Sequence, residues 1–366
     1  MRVSVSGVFF FLVLFLVSYN GTLLFVTPLL LLLPVSLSVY RRWVDYILAL
    51  WYHLGPALLE LLYGVRVRVC GDLQQIQGPC LIILNHRTRF DWLFFWSYII
   101  RMGTPPKHKI VLKDALKKIP GIGWGMQACL FIFISRNWSR DKKTLSDNLA
   151  YYSSRGYPLQ LLFFPEGTNL SKHTQLKSHK FAAENGLQKY DFVLHPRTMG
   201  FVHCLREFRK GVTPPNIVNV TVGYVGSIPE NESDIVAGRW PREIHFCADT
   251  VPHSQIPSGE EELADWLNQC WQNKEEALKQ FYREKRFQRP YLDETGSTRI
   301  KLALISVLVF WAIFLVLSLY VIASYPWMML GLSVFYFTVA VLGPGLDWVI
   351  LQLHQMTYQA KLFSKT

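Results

Sequence analysis

The chain has 366 residues, of which 51% are apolar, and 38 basic against 26 acidic side chains give a formal net charge of +12. That length suits one sizeable α/β core with added membrane segments, or two small domains. The six cysteines (Cys70, Cys80, Cys129, Cys204, Cys247 and Cys270) are scattered without C-x-x-C spacing, which argues against a disulfide framework or a zinc centre. Basic residues are dispersed between apolar runs with no zinc-finger or RNA-binding pattern, which argues against nucleic acid as the partner. An anionic lipid surface and an anionic cofactor fit the charge better; the alternative is a solvated surface with positive loops on one side of a bilayer.

Apolar residues are concentrated at the two ends. No charged side chain occurs between Arg2 and Arg41, and the run from Val5 to Tyr40 exceeds the ~20 residues that span a bilayer. Asn20-Gly21 and Pro28 interrupt it, so it reads as one long kinked span or as two half-helices re-entering one leaflet. It is too long, and too poor in small-residue cleavage sites, for a signal peptide. Residues 44–63 are apolar but include Asp45, His53 and Glu60, which suits an interfacial or protein-packed helix.

In the middle of the chain, short apolar runs at 80–84, 129–134, 159–164, 192–194, 218–225 and 244–247 predict strands, each bounded by Pro, Gly, Asn or charge. Helices are predicted at 94–100, 145–152 and 176–187 between them, giving an α/β domain. Residues 262–287 predict an amphipathic helix with Leu263, Trp266, Leu267, Cys270, Trp271, Leu278 and Phe281 near one stripe. Beyond it, residues 302–325 and 327–351 predict two spans meeting at Pro326 as a hairpin. Arg299 and Lys301 precede the pair and Lys361 and Lys365 follow it. The positive-inside rule puts both flanks, and with them the central domain, in the cytosol. The expected organisation is membrane-embedded helices over 1–64, the α/β domain over 65–298, and the hairpin with its tail over 299–366.

Two stretches carry chemistry. In Asn85-His86-Arg87-Thr88-Arg89-Phe90-Asp91, a histidine and an aspartate five apart do not meet as helical neighbours. They meet if His86 follows the strand 80–84 and a turn precedes the helix carrying Asp91. The carboxylate then fixes the imidazole tautomer, as a general base acting on a hydroxyl requires. The alternative is a surface histidine and a helix-capping aspartate. In Phe164-Pro165-Glu166-Gly167-Thr168, Gly167 permits close backbone approach while Glu166 and Thr168 offer polar contacts, unless the segment is only a turn. The run Phe131-Ile132-Phe133-Ile134-Ser135-Arg136 closes a buried strand on an arginine, suited to a phosphate fork or to a surface ion pair. Together these stretches point to acyl transfer onto a hydroxyl, and the membrane-seeking ends make a lipid the acceptor. A serine hydrolase would need Gly-x-Ser-x-Gly, which is absent. Most of the five sequons (Asn20, Asn137, Asn169, Asn219 and Asn231) read as chance matches, since a glycan on Asn169 would block the turn beside it.

In this order the blocks His86–Asp91, the strand to Arg136, Pro165-Glu166-Gly167 and Val193-Leu194-His195-Pro196 resemble the glycerophospholipid acyltransferase superfamily over approximately residues 81–196. Further segments, among them Leu187-Gln188-Lys189-Tyr190, His195-Pro196-Arg197-Thr198 and Pro241-Arg242-Glu243-Ile244-His245-Phe246, look like the lysocardiolipin branch of that superfamily, membrane segments included. The resemblance implies an α/β fold of acyltransferase type, a mixed sheet flanked by helices, with N-terminal membrane helices and a C-terminal transmembrane hairpin. It implies acyl-CoA as co-substrate, no permanently bound cofactor and no metal. His86 and Asp91 would be catalytic, and Lys113, Arg136, Glu166, Gly167 and Thr168 would hold the acceptor. Leu130 and Asn169 depart from the family pattern, in which Gly and Arg or Ser are common at those places.

The implied reaction is direct: His86 takes the acceptor's hydroxyl proton and the oxygen attacks the thioester carbonyl, with no covalent enzyme intermediate. The expected acceptors are lysocardiolipin and other anionic lysophospholipids such as lysophosphatidylinositol, at the endoplasmic reticulum membrane. Lysophosphatidic acid acylation, and a non-catalytic membrane scaffold of the same fold, are the rival readings. Arg87 and Arg89 flank the base; they either choose among anionic acceptors or pair with local carboxylates and headgroups.

Overall fold

The structure, a computed structural model, describes residues 3–72, 78–292 and 297–363. The first apolar run forms α1 (Val5–Gly21), a π-helical turn (Thr22–Val26) and α2 (Thr27–Leu30). Length and composition make Val5–Leu30 one candidate span, so Asn20-Gly21 marks a bulge, as expected where the helical ladder is locally widened. A turn at 31–35 releases the chain into α3 (Leu37–Ala57), whose Ser36 cap accepts the Val39 N–H at 3.3 Å. This helix is packed against protein rather than lipid on the face that carries charge. Arg41 and Asp45 are buried and 3.2 Å apart, and the fully buried Lys109 ammonium lies 2.8 Å from the same carboxylate.

The central domain then runs β1 (Arg66–Gly71), β2 (Cys80–Leu84), α4 (Asp91–Phe94), α5 (Trp96–Met102), β3 (His108–Lys113), α6 (Ile122–Ala128), β4 (Ile132–Ile134), α7 (Trp138–Ser154), β5 (Gln160–Phe163), α8 (Lys172–Glu184), α9 (Thr198–Arg209), β6 (Asn216–Gly226), α10 (Glu232–Val236), β7 (Pro241–Val251) and α11 (Glu260–Glu284). The sheet order is β1-β7-β6-β2-β5-β3-β4. Strands β6, β2, β5, β3 and β4 are mutually parallel, whereas β7 pairs antiparallel with β6 and carries β1 in its own direction. The expected mixed sheet flanked by helices is present. Every residue of β2 and β5 is buried, as continuous apolar runs in parallel strands require. At the edge, β1 turns Arg66 and Arg68 outward onto Glu243 of β7.

Two predicted strands are not strands where expected. Residues 192–194 form an irregular loop, because their backbone donors are taken by carboxylates. Asp191, Phe192 and Val193 N–H groups donate to Glu275 at 2.7, 2.9 and 3.1 Å, and Leu194 N–H donates to Glu166 at 3.1 Å. The run 129–134 pairs only from Ile132. Before it, Tyr40 and Tyr152 hydroxyls and Arg41 donate to the carbonyls of Ala128, Leu130 and Cys129, and Leu130 has φ 55°.

Beyond the domain, α12 (Thr298–Ser324) is the second helix long and apolar enough to cross a membrane. The run 327–351 is not one helix. It forms α13 (Pro326–Phe337), a π-helical turn to Leu342 and α14 (Leu346–Phe363), bent by 77° at the break. Gly343-Pro344-Gly345 causes it: proline has no N–H for the ladder and Gly345 takes φ 102°. Counted as one broken span, this pair brings the candidate spans to three. Lys365 and the chain end at Thr366 lie outside the described residues.

Helix α1 meets the domain by close backbone approach. A Cβ on Gly7 would stand 2.0 Å from the Ile235 carbonyl oxygen of α10. Ser4 N–H donates to Val236 at 2.8 Å. Gly7→Ala is therefore expected to lower stability by about 1–3 kcal/mol, read as a thermal midpoint a few degrees lower in detergent; an unchanged midpoint would remove the close approach.

Candidate active site

Strands β2 and β5 are neighbours whose outgoing connections diverge: β2 leads to β3 on one side and β5 leads across β2 to β6 on the other. In an α/β sheet such a switch point opens a crevice at the carboxyl ends of the strands. His86 lies two residues beyond β2, Glu166 three beyond β5, Lys113 at the end of β3 and Arg136 two beyond β4. All sit along one edge, three strand spacings or roughly 14 Å wide.

His86 and Asp91 meet as predicted. Residues 85–90 form an irregular turn between β2 and α4, and His86 Nδ1 stands 2.8 Å from Asp91 Oδ2. The same oxygen accepts the Thr88 N–H at 2.9 Å, and Asp91 Oδ1 accepts the Tyr224 hydroxyl from β6. Asp91 is completely buried at its side chain, while 17% of the His86 side chain is exposed. A carboxylate offers only acceptors here, so Nδ1 carries the proton and Nε2 keeps its lone pair free. Phe164 stacks on the imidazole with ring centres 4.3 Å apart, closing one face of it.

Glu166 is not aimed at solvent. Its Oε1 accepts the His86 N–H at 3.0 Å and the Trp271 indole N–H at 3.2 Å, and its Oε2 accepts the Leu194 N–H at 3.1 Å. Burial pushes its carboxyl up to about 7, against the pull of the three donors. Lys274, three residues beyond Trp271, is buried and donates to Val220 and Thr221, and burial lowers its ammonium to about 8. Gly167 takes φ 70°, which lets the chain turn directly after Glu166; Thr168 beside it is half-buried.

The predicted cations divide into two groups. Lys113 and Arg136 are exposed and have no side-chain partner among the described residues; Arg136 holds φ 64° in the turn before α7. Arg87 and Arg89 instead face carboxylates, 3.6 Å from Glu230 and 3.1 Å from Glu232, and Thr88 between them donates to the Pro229 carbonyl. This is the second of the two arrangements the sequence allowed. Three contributors escaped the sequence reading. Tyr224 is 133 positions from Asp91, and the Trp271 indole N–H points back from an otherwise apolar stripe. Arg197 packs its Cδ and Nε where a Gly167 Cβ would be 3.4 Å away. Among the described residues no group of three His, Cys, Asp or Glu side chains is placed to hold a metal ion.

The Acyltransferase family model matches residues 66–223, and the Acyltransferase C-terminus model matches residues 234–313. Mouse lysocardiolipin acyltransferase 1 is 37% identical, over 98% of this chain and 97% of its own length. Lysophosphatidylinositol acyltransferase 10 of Caenorhabditis elegans is 40% identical over 71% of this chain and 68% of its own. The crystal structure of the 1-acyl-sn-glycerophosphate acyltransferase PlsC from Thermotoga maritima superposes with a TM-score of 0.48 at 15% identity, over 77% of this chain and 98% of that one. The chain belongs to the glycerophospholipid acyltransferase family, and within it aligns along almost its whole length with a lysocardiolipin acyltransferase.

Proposed function

We propose that the protein is an acyl-CoA-dependent O-acyltransferase that re-acylates lysophospholipids, with lysocardiolipin and lysophosphatidylinositol as acceptors. The 2.8 Å contact between His86 Nδ1 and Asp91 carries the reading, because it leaves Nε2 as the base. In this reading Nε2 removes the proton of the acceptor hydroxyl as its oxygen attacks the thioester carbonyl. The tetrahedral intermediate collapses, the C–S bond breaks, and the departing thiolate recovers the proton from the imidazolium. Asp91 holds the ring and stabilises the transient cation, and Tyr224 and Thr88 hold Asp91. Glu166 serves by tying the His86 backbone in place. Lys113 and Arg136 meet the acceptor's phosphate, for which a guanidinium supplies two parallel hydrogen bonds. The relatives' names, one for a lysocardiolipin and one for a lysophosphatidylinositol enzyme, support the choice of acceptors.

The membrane reading places the domain on the cytosolic face of the endoplasmic reticulum. The end of α12 nearest the domain carries Arg299 and Lys301, both exposed, whereas its far end at Ser324 has no charged residue nearby; this supports a cytosolic domain.

Three outcomes test these statements. With labelled acyl-CoA and a panel of lysocardiolipin, lysophosphatidylinositol and lysophosphatidic acid, His86→Ala should lower kcat by roughly 10²–10⁴ for every acceptor. In the same assay Arg136→Ala should raise KM for all three, while Arg87→Ala and Arg89→Ala, whose arginines anchor a loop, should reduce all three in equal proportion. A near-normal rate for His86→Ala would end the mechanism, and a changed preference in Arg87→Ala would assign that arginine to the acceptor.

Glu166 predicts a pH dependence of stability. Its folded value of about 7 lies above the ~4.3 of an unfolded glutamate, so the folded state holds an extra proton between those values. Stability should fall as pH rises through that window, by on the order of 2–4 kcal/mol, with the full cost present above it. Glu166→Gln should flatten the slope of denaturation midpoint against pH; an unaltered slope would assign it to other groups. For topology, a C-terminal tag on intact microsomes should be open to protease and a site inserted beside Pro326 protected; the reverse pattern would overturn the cytosolic placement.

A further inference from the structure

At the opposite, amino edge of the sheet lies a cavity of about 440 Å³ between the start of α3, the end of α7 and α14. That volume falls within the range of small-ligand sites. Three arginines line it. Arg41 forms its buried floor; one guanidinium nitrogen reaches Cys129, Tyr152 and Asp45, but Nε and Nη1 have no hydrogen-bond partner among the described residues. Arg155 is half-buried, touches Ser38 with Nη1 at 3.3 Å and leaves its Nε unpartnered. Arg42 is exposed at the mouth with no side-chain partner among the described residues. The one carboxylate lining the cavity, Asp45, is already shared between Arg41 and Lys109. His354 and Thr357 of α14 add polar groups on the far wall.

The surroundings say where this cation cluster faces. Next to Arg42, Trp43 and Tyr46 are 53% and 59% exposed and pack edge to face at 6.5 Å, and Leu31 and Val35 are 76% and 80% exposed just before them. Exposed Trp and Tyr beside exposed aliphatics form the belt that proteins place at headgroup depth, and α14 belongs to the bent apolar pair. A cationic cavity opening at that depth meets phosphate and little else of comparable charge.

We propose that this cavity binds the phosphate of an anionic phospholipid, holding a lipid at the amino edge of the sheet, apart from the His86 dyad at the carboxyl edge. The bound lipid is not the reacting one, so the site fastens the domain to anionic bilayer.

The test uses the purified full chain and calorimetric titration with dihexanoyl phosphatidic acid, dihexanoyl phosphatidylcholine and inorganic phosphate. The wild type should bind the phosphatidic acid more tightly than the other two. Arg42→Gln with Arg155→Gln should weaken that binding about tenfold or more, since each substitution removes a charge-assisted hydrogen-bond donor to the phosphate. Turnover on a water-soluble short-chain lysolipid should be unchanged, which reports folding and separates this site from the catalytic one. Equal affinity of the double variant and the wild type would overturn the proposal, as would no preference for phosphatidic acid over phosphatidylcholine. Inorganic phosphate binding as tightly as the lipid would show a free-anion site instead. Should the double variant fail to fold, Arg42→Gln alone, at an exposed and unpartnered position, reads the same affinity loss.

Discussion

One buried carboxylate organises the chemistry. Glu166 receives N–H donors from three segments far apart in sequence: His86 beyond β2, Leu194 in the loop before α9, and the indole of Trp271 on α11. Each donor would otherwise be a buried polar group with no acceptor, at a cost of about 1–3 kcal/mol. The carboxylate, for its part, is costly to bury, and its raised proton affinity measures that cost. Neither side is stable there without the other, so the turn carrying His86, the loop 191–197 and α11 are fixed as a set. The imidazole inherits that fixation through its own backbone N–H, before its side chain makes any contact.

A second link joins this turn to the membrane. The segment 229–238 takes Thr88 at the Pro229 carbonyl, Arg87 at Glu230 and Arg89 at Glu232. The same segment receives Ser4 at Val236, and Gly7 packs against the Ile235 carbonyl. Tyr63, stacked on Trp240 at 4.7 Å, donates to the Ser6 carbonyl and closes the other side of α1. The candidate span that begins with α1 and the loop holding His86 thus share one short support. Because exposed ion pairs contribute little by themselves, the backbone contacts at Thr88, Ser4 and Gly7 carry most of this coupling. In the proposed reaction, an acceptor arriving from the bilayer would need His86 at a fixed height above it, and this support would set that height.

What the sequence made legible was local. Strand β2 is uninterrupted apolar chain between Pro79 and Asn85, so its bounds and the position of His86 beyond it followed from periodicity and punctuation. The amphipathic stripe of α11 was equally plain. The failures share a cause, which is that a distant side chain decided the backbone. Residues 192–194 look like a strand, but the amides of Asp191, Phe192 and Val193 belong to Glu275, 82–84 positions away, and that of Leu194 to Glu166. The strand β3 went unrecognised because His108 and Lys109 read as polar, although Lys109 is buried against Asp45, 64 positions away. The break after α13 was local, and Gly343-Pro344-Gly345 could have been read as a stop. The hydrophobicity of the whole stretch concealed it. The Tyr224 hydroxyl on Asp91 had no sequence signal, since a tyrosine in a strand is ordinary.

The location of the surplus charge completes the argument. Many basic side chains are cancelled by neighbours: Arg66 and Arg68 by Glu243, Arg101 by Glu60, Arg206 by Glu260, Arg239 by Asp234 and Arg289 by Asp249. Lys113 and Arg136 at the carboxyl edge, and Arg42 at the amino edge, have no such neighbour among the described residues. The two edges are separated by the length of a strand, roughly 15–20 Å, about twice the distance over which salt screens exposed charges. The two groups therefore act as independent cationic fields, and a change at one edge leaves the other intact. A single anionic ligand at the catalytic turn does not explain both. With the proposed acceptor at one edge and the proposed headgroup cavity at the other, each field would have its own anionic ligand, and the sheet keeps the two apart by its own length.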